Sequence, residues 1–194
     1  MDTKNAKEVE VWSLSLRLFH WLLVAAFFTS WWTSDHHIRL HILAGAAIAG
    51  LLLYRLIWGV LGENHAKFSS FTPSFANIKQ HVLDLIRRQP RHYIGHTPIG
   101  SLMIYALLAS LLILVTSGFS LIALQMNFGP FYGLQANYNT EIFIQFIHAW
   151  CFETLQFLVF IHLAGVVVES SLQHSNLIKS MFTGKKTIKE NINT

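Results

Sequence analysis

Long apolar runs alternate along this chain with short polar or basic segments. The runs lie near residues 13–33, 38–61, 99–124 and 141–170. Each matches or exceeds the roughly 20 residues that a helix needs to cross a hydrocarbon layer about 30 Å thick, so the pattern predicts four membrane-spanning helices. The expected fold is an all-α integral membrane four-helix bundle, a single domain over residues 1–194 without internal repeats. The first run carries Arg17, His20 and a Trp31-Trp32 end without a small-residue cleavage pattern, and so reads as a retained helix rather than a leader. Between the second and third runs, from Gly62 to Pro98, the stretch 74–90 places Ile78, Val82, Leu85 and Ile86 on one helical face, with Lys79, Arg87 and Arg88 elsewhere. That spacing predicts an interfacial helix, broken at Pro90.

Composition agrees with the pattern, since 53% of the 194 residues are hydrophobic and only 12% charged, against about 25% charged in a typical soluble domain. The distribution of the charges adds an orientation. Lys4 and Lys7 precede the first run, Lys67, Lys79, Arg87, Arg88 and Arg91 fill the central loop, and Lys179, Lys185, Lys186 and Lys189 fill the tail. The two other connections hold only Arg39, so the termini and central loop are expected in the cytoplasm. The net charge of +4 then reflects the positive-inside bias with some attraction to anionic lipid, and calls for no nucleic acid. Cys151 is the only cysteine, which rules out an internal disulfide, a CxxCH attachment site and an iron-sulfur cluster built from this chain. It reads as a small apolar filler.

Histidines inside apolar helices carry the candidate chemistry, because polar side chains at membrane depth are costly and usually mark function. His148 and His162 are 14 positions apart, which in a helix means about 40° in direction and about 21 Å in height. One helix can thus face two sites stacked across the membrane. With a cytoplasmic amino terminus, His20 and His162 fall at matching inner depths, and His41 and His148 at roughly matching outer depths. Each level offers two imidazoles where a compact metal site would need three or four ligands, so two non-covalent haems, each between a pair of histidines, fit better than a bare metal. Gly45 beside His41 and Gly165 beside His162 leave room for a porphyrin edge. His37, one turn before His41, is the alternative outer ligand. For any one histidine the plain alternative is a hydrogen bond to a neighbouring helix; His36, His65, His81, His92 and His174 read as interfacial or solvated. Arg17 and Arg55 are candidates for haem propionates, with snorkelling as the rival reading. Trp12, Trp31, Trp32 and Trp58 read as interfacial belt residues.

The segments RLFHW (17–21), HILAG (41–45), YRLIWGVLGENHAKFSSF (54–71), YIGHTPIG (93–100), LVTSGF (114–119), the pair His148 and His162, and MFTGKK (181–186) resemble the bacterial cytochrome b561 family, which includes the b-type cytochrome subunits of nickel-iron hydrogenases. The resemblance implies a dihaem cytochrome of the bacterial inner membrane with His20, His41, His148 and His162 as ligands. It implies electron transfer between the quinone pool and a redox partner, such as a hydrogenase, another dehydrogenase or a c-type cytochrome; some members are thought to oxidise superoxide. A periplasmic partner would suit the outer haem, docking on the outer loop at 125–140. His96, in GHTPIG, is a candidate for deprotonating a quinol or binding a propionate, or else caps the third helix beside Pro98. Glu153 and Glu169 are candidate proton-relay groups, and Glu141 needs no special role. No flavin or nucleotide fingerprint is present, so the chain is expected to pass electrons rather than generate them. The rival class is a haem-free membrane anchor or histidine-lined metal transporter.

Overall fold

The computed structural model describes residues 6–62, 66–87, 93, 95–173 and 175–189. The expectations placed on Lys4, His65, Arg88, Pro90, Arg91, His92 and His174 lie outside these residues. Among the described residues, four helices are long and apolar enough to cross a membrane: α1 (Leu14–Thr33), α2 (Ile38–Leu61), α4 (Pro98–Met126) and α5 (Tyr138–Leu172). Their ends fall within three residues of those expected, α5 gaining a turn at its start. Between α2 and α4 lie a 3-10 turn (Phe68–Ser70) and the amphipathic helix α3 (Phe75–Ile86). A short helix α6 (Leu177–Thr183) follows α5, and strands β1 (Ala6–Glu10) and β2 (Lys185–Lys189) pair antiparallel. The ladder and α6 were not expected, because polar five-residue strands leave no periodic signal.

The chain divides into two compact units. The first, Trp21–Arg55 with Tyr105–Phe160, holds four helical segments around Phe27 of α1, Ile48 and Leu52 of α2, Leu111 of α4 and Leu155 of α5. Phe27 and Phe152 extend this core with ring centroids 6.5 Å apart. Outside it, Leu53, Phe157 and Phe160 are 60–70% exposed, the pattern of a surface meeting lipid rather than water. Cys151 Sγ donates to the Ser110 carbonyl at 3.1 Å, so the thiol also satisfies a weak hydrogen bond across α4 and α5.

The second unit, Met1–His20, Leu56–Ile104 and Ile161–Thr194, is built around polar contacts. Thr97 caps α4: its Oγ1 accepts from Gly100 N at 3.1 Å, and Pro98 takes the first helical position, where no N–H is missed. Capping therefore falls to Thr97, and not to His96 as one reading had it. Gly184 ends α6 with φ of +82°, a conformation costly for any residue with a Cβ, and its carbonyl accepts from Val11 N and Trp12 N. Gly59 is required by a close approach, since a Cβ there would stand 2.1 Å from the Phe68 ring.

Helix α3 turns its polar face inward. His81 is fully buried and Asp84 nearly so, while Phe75, Val82 and Ile86 point outward. His81 was expected at the interface or in solvent; it is instead held by Glu169, its Nε2 2.7 Å from Oε1. Lys186, counted with the solvated tail charges, is buried too, and its Nζ donates to the Tyr93 carbonyl at 2.6 Å and to Gln173 Oε1 at 2.8 Å. Trp12 is not a belt residue; it is buried against His96, ring centroids 4.6 Å apart. Sequence reasoning assigned these groups to the surface by type, and mutual pairing removed the cost of burying them.

Candidate functional site

In the first unit the rings of His41, near the start of α2, and His148, on α5, are 6.3 Å apart between centroids and inclined at 77°. Both help line a cavity of about 550 Å³ with Gly45, Gly118, Val115 and Glu153. His37 is exposed and is not among its lining residues. His41 Nδ1 lies 2.9 Å from the Ser30 carbonyl, which can only accept, so the proton of this imidazole is on Nδ1. Ser30 Oγ is nearby at 3.2 Å. Across the cavity the Ser117 hydroxyl donates to the Leu114 carbonyl at 3.0 Å and so accepts from His148 Nδ1, also at 3.0 Å. Both rings therefore keep Nε2 as a lone-pair donor. That tautomer is the one a metal needs.

The second unit brings together the other expected residues. His20, on α1, and His162, on α5, are both half-buried and close enough to interact electrostatically. A Cβ at Gly165 or at Gly45 would meet nothing within 4 Å, so both glycines leave open space beside a candidate ligand. Arg17, one turn before His20, donates through Nη1 to the Phe182 carbonyl, while its buried Nε has no hydrogen-bond partner among the described residues. His96 sits between the rings of Trp12 and Phe71, at 4.6 and 4.5 Å. Arg55, which belongs to the first unit, is 3% exposed beside Tyr54 and Tyr105. Glu169 binds His81 and accepts from Gln173 Nε2; Glu153 is exposed; Glu141 accepts from Gln125 at 3.0 Å.

The family model for prokaryotic cytochrome b561 matches residues 11–184, nearly the whole chain. The chain belongs to the prokaryotic cytochrome b561 family. Two curated relatives are probable Ni/Fe-hydrogenase B-type cytochrome subunits. The protein of Rhizobium leguminosarum bv. viciae is 23% identical over 167 residues, covering 78% of this chain and 69% of the relative. That of Bradyrhizobium diazoefficiens is 23% identical over 169 residues, covering 77% and 66%. The chain thus spans about two thirds of the length of each. Family membership, together with four apolar helices, makes this a multi-pass membrane cytochrome of the b type, a haem b protein of electron transport.

The residues present fit that group. His41 and His148, with ring centroids 6.3 Å apart beside the cavity and Nε2 of each unprotonated, would hold the haem there, and it would supply a one-electron carrier. Sequence reasoning missed Ser30, Ser117 and Gly118. Their signal was there: hydroxyls inside apolar runs, two of these residues within LVTSGF.

Proposed function

We propose that this b561-family cytochrome holds two haems b in one chain, with His20 and His162 as ligands of an inner haem and His41 and His148 as ligands of an outer one. When bound, each haem supplies a one-electron carrier. The orientation of both Nε2 lone pairs by Ser30 and Ser117 is the observation that carries this reading. Arg17 Nε, without a hydrogen-bond partner among the described residues, and the buried Arg55 guanidinium have the charge and donor geometry suited to propionate carboxylates. Gly45 and Gly165 provide the space for porphyrin edges. The chain lies in the bacterial inner membrane with its termini and central loop on the cytoplasmic side, following its lysine and arginine distribution.

Electrons pass in this reading between a quinone or quinol near the cytoplasmic side, where His96 offers a titratable ring, and a redox protein on the periplasmic side. The two relatives, named as hydrogenase cytochrome subunits, support a redox partner of the hydrogenase kind. Helix α3 lies in the membrane interface, its exposed Phe75, Val82 and Ile86 entering the acyl boundary. The deciding measurement is haem per polypeptide by pyridine haemochrome, with reduced-minus-oxidised spectra, on wild type and single alanine variants. Two haems b are expected in wild type, one in His41→Ala or His148→Ala, and one in His20→Ala or His162→Ala. Full haem retention in folded His162→Ala would refute the pairing; a protein with no b-type absorbance, produced with adequate haem supply, would favour a haem-free anchor.

A further inference from the structure

The second unit contains a buried polar chain that haem ligation does not use. Glu169 Oε1 meets His81 Nε2 at 2.7 Å, its Oε2 accepts from Gln173 Nε2, and Gln173 Oε1 accepts from Lys186 Nζ at 2.8 Å. His81 is 0% exposed, and its Nδ1 has no hydrogen-bond partner among the described residues. In its neutral form an imidazole that donates through Nε2 to a carboxylate has an unprotonated Nδ1, a position open to one proton. Glu169 lies seven positions after His162 on α5, two turns along the same face and about 10.5 Å away. The pair is thus within electrostatic reach of whatever His162 binds.

We propose that the His81–Glu169 pair is a redox-linked proton site, taking up one proton at His81 Nδ1 when the haem held by His162 gains one electron. This rests on the reading of His162 as a haem ligand. The balance is simple: one electron converts ferric to ferrous haem, one proton from cytoplasmic water forms an N–H bond, and the net charge of the region is unchanged. The imidazolium so formed is stabilised by the Glu169 carboxylate. Among the described residues, the other charged or titratable groups near the pair include Asp84, three positions after His81 on α3, which accepts from Gln80; Lys186 of β2; and Tyr93, whose ring meets His81 edge-on at 5.3 Å. Lys186 opposes proton uptake and Asp84 favours it. A unit charge about 10 Å away, at an effective dielectric constant near 20, changes proton binding about tenfold. Thermodynamic linkage makes the potential change in the same ratio.

Potentiometric titration of the purified dihaem protein between about pH 6 and about pH 9 tests this, with haem content determined on every sample. The inner haem is the wave absent from His162→Ala. Its midpoint potential should fall as pH rises, by an amount equivalent to about tenfold in the redox equilibrium, or 59 mV for a one-electron couple. His81→Phe, which keeps an aromatic ring against Tyr93, should give a flat profile, Glu169→Gln a weakened and displaced one, and Asp84→Asn should keep the slope. A flat wild-type profile with two haems per chain would overturn the proton site alone, as would an unaltered slope in His81→Phe. Fewer than two haems in wild type would overturn the ligand assignment beneath it.

Discussion

The Ser117 hydroxyl holds His148 Nδ1 at 3.0 Å while donating its own proton to the Leu114 carbonyl one turn back on α4. One serine therefore sets both the direction and the tautomer of an imidazole on another helix. Outer partners of metal-ligating histidines typically contribute about 10–100-fold in metal affinity. In the proposed dihaem arrangement, Ser117→Ala should weaken retention of the outer haem by about that factor against a haem scavenger, and Ser117→Thr should restore most of it. If Ser117→Ala retained haem as wild type does, the hydroxyl would not be orienting the ligand.

Gly118 makes a steric contribution beside this contact. A Cβ there would lie 3.1 Å from His148 Cε1, tighter than ordinary contact, so the ring would have to give by a few tenths of an ångström. In the proposed arrangement Gly118→Ala should retain the outer haem with an altered low-spin electron paramagnetic resonance signal, since the added methyl turns the His148 ring. Gly118→Leu should lose the outer haem and spare the inner one. An unchanged signal in Gly118→Ala would mean that the ring has room to spare.

The parts of this molecule legible in the sequence are those governed by long-range apolar periodicity. α1, α2, α4 and α5 each bring about 20 or more consecutive apolar positions against a fixed bilayer thickness, which leaves few ways to misplace them. The opposition of His41 and His148 also followed from helix geometry and depth. What periodicity could not reveal was where polar groups find one another across distant segments. His81 and Glu169 are 88 positions apart, Lys186 and Tyr93 are 93 apart, and residue type alone gives no sign of either pairing. Ser30 and Ser117 did leave a signal, as hydroxyls inside apolar runs, but it names no partner until a histidine is placed beside each.

Gly59 gives a prediction on packing alone. The Phe68 ring occupies the position that a side chain would fill, with ring atoms 2.1 to 2.6 Å from an ideal Cβ. Gly59→Ala should displace the ring and cost about 1–3 kcal/mol, the usual range for overpacking. The readout is a lower midpoint of thermal unfolding in detergent, with both haems still bound at low temperature. Gly59→Ala combined with Phe68→Leu should recover part of the loss. A wild-type midpoint in Gly59→Ala alone would show that Phe68 moves aside freely.

Lys186 ties β2 to the segment at Tyr93 and to the end of α5, and its charge makes the tie sensitive to pH. Burial lowers its pKa below the usual lysine range, while nearby Glu169 pulls it back up. The unfolded chain therefore binds this proton more tightly than the folded one. Below the lowered value both states are protonated and the cost of burying the ammonium is fully present; between the lowered value and the ordinary value of about 10.4, the folded state sheds the proton first and stability rises with pH. As pH rises through that window towards about 10, protection of the carboxy-terminal segment from limited proteolysis should increase in wild type. Lys186→Met should abolish that increase, because nothing titrates at the position. It should also lower protection at neutral pH, since the Tyr93 carbonyl and Gln173 Oε1 lose their donor at about 1–3 kcal/mol for each buried acceptor left unpaired. A similar rise with pH in Lys186→Met would assign the effect to another group.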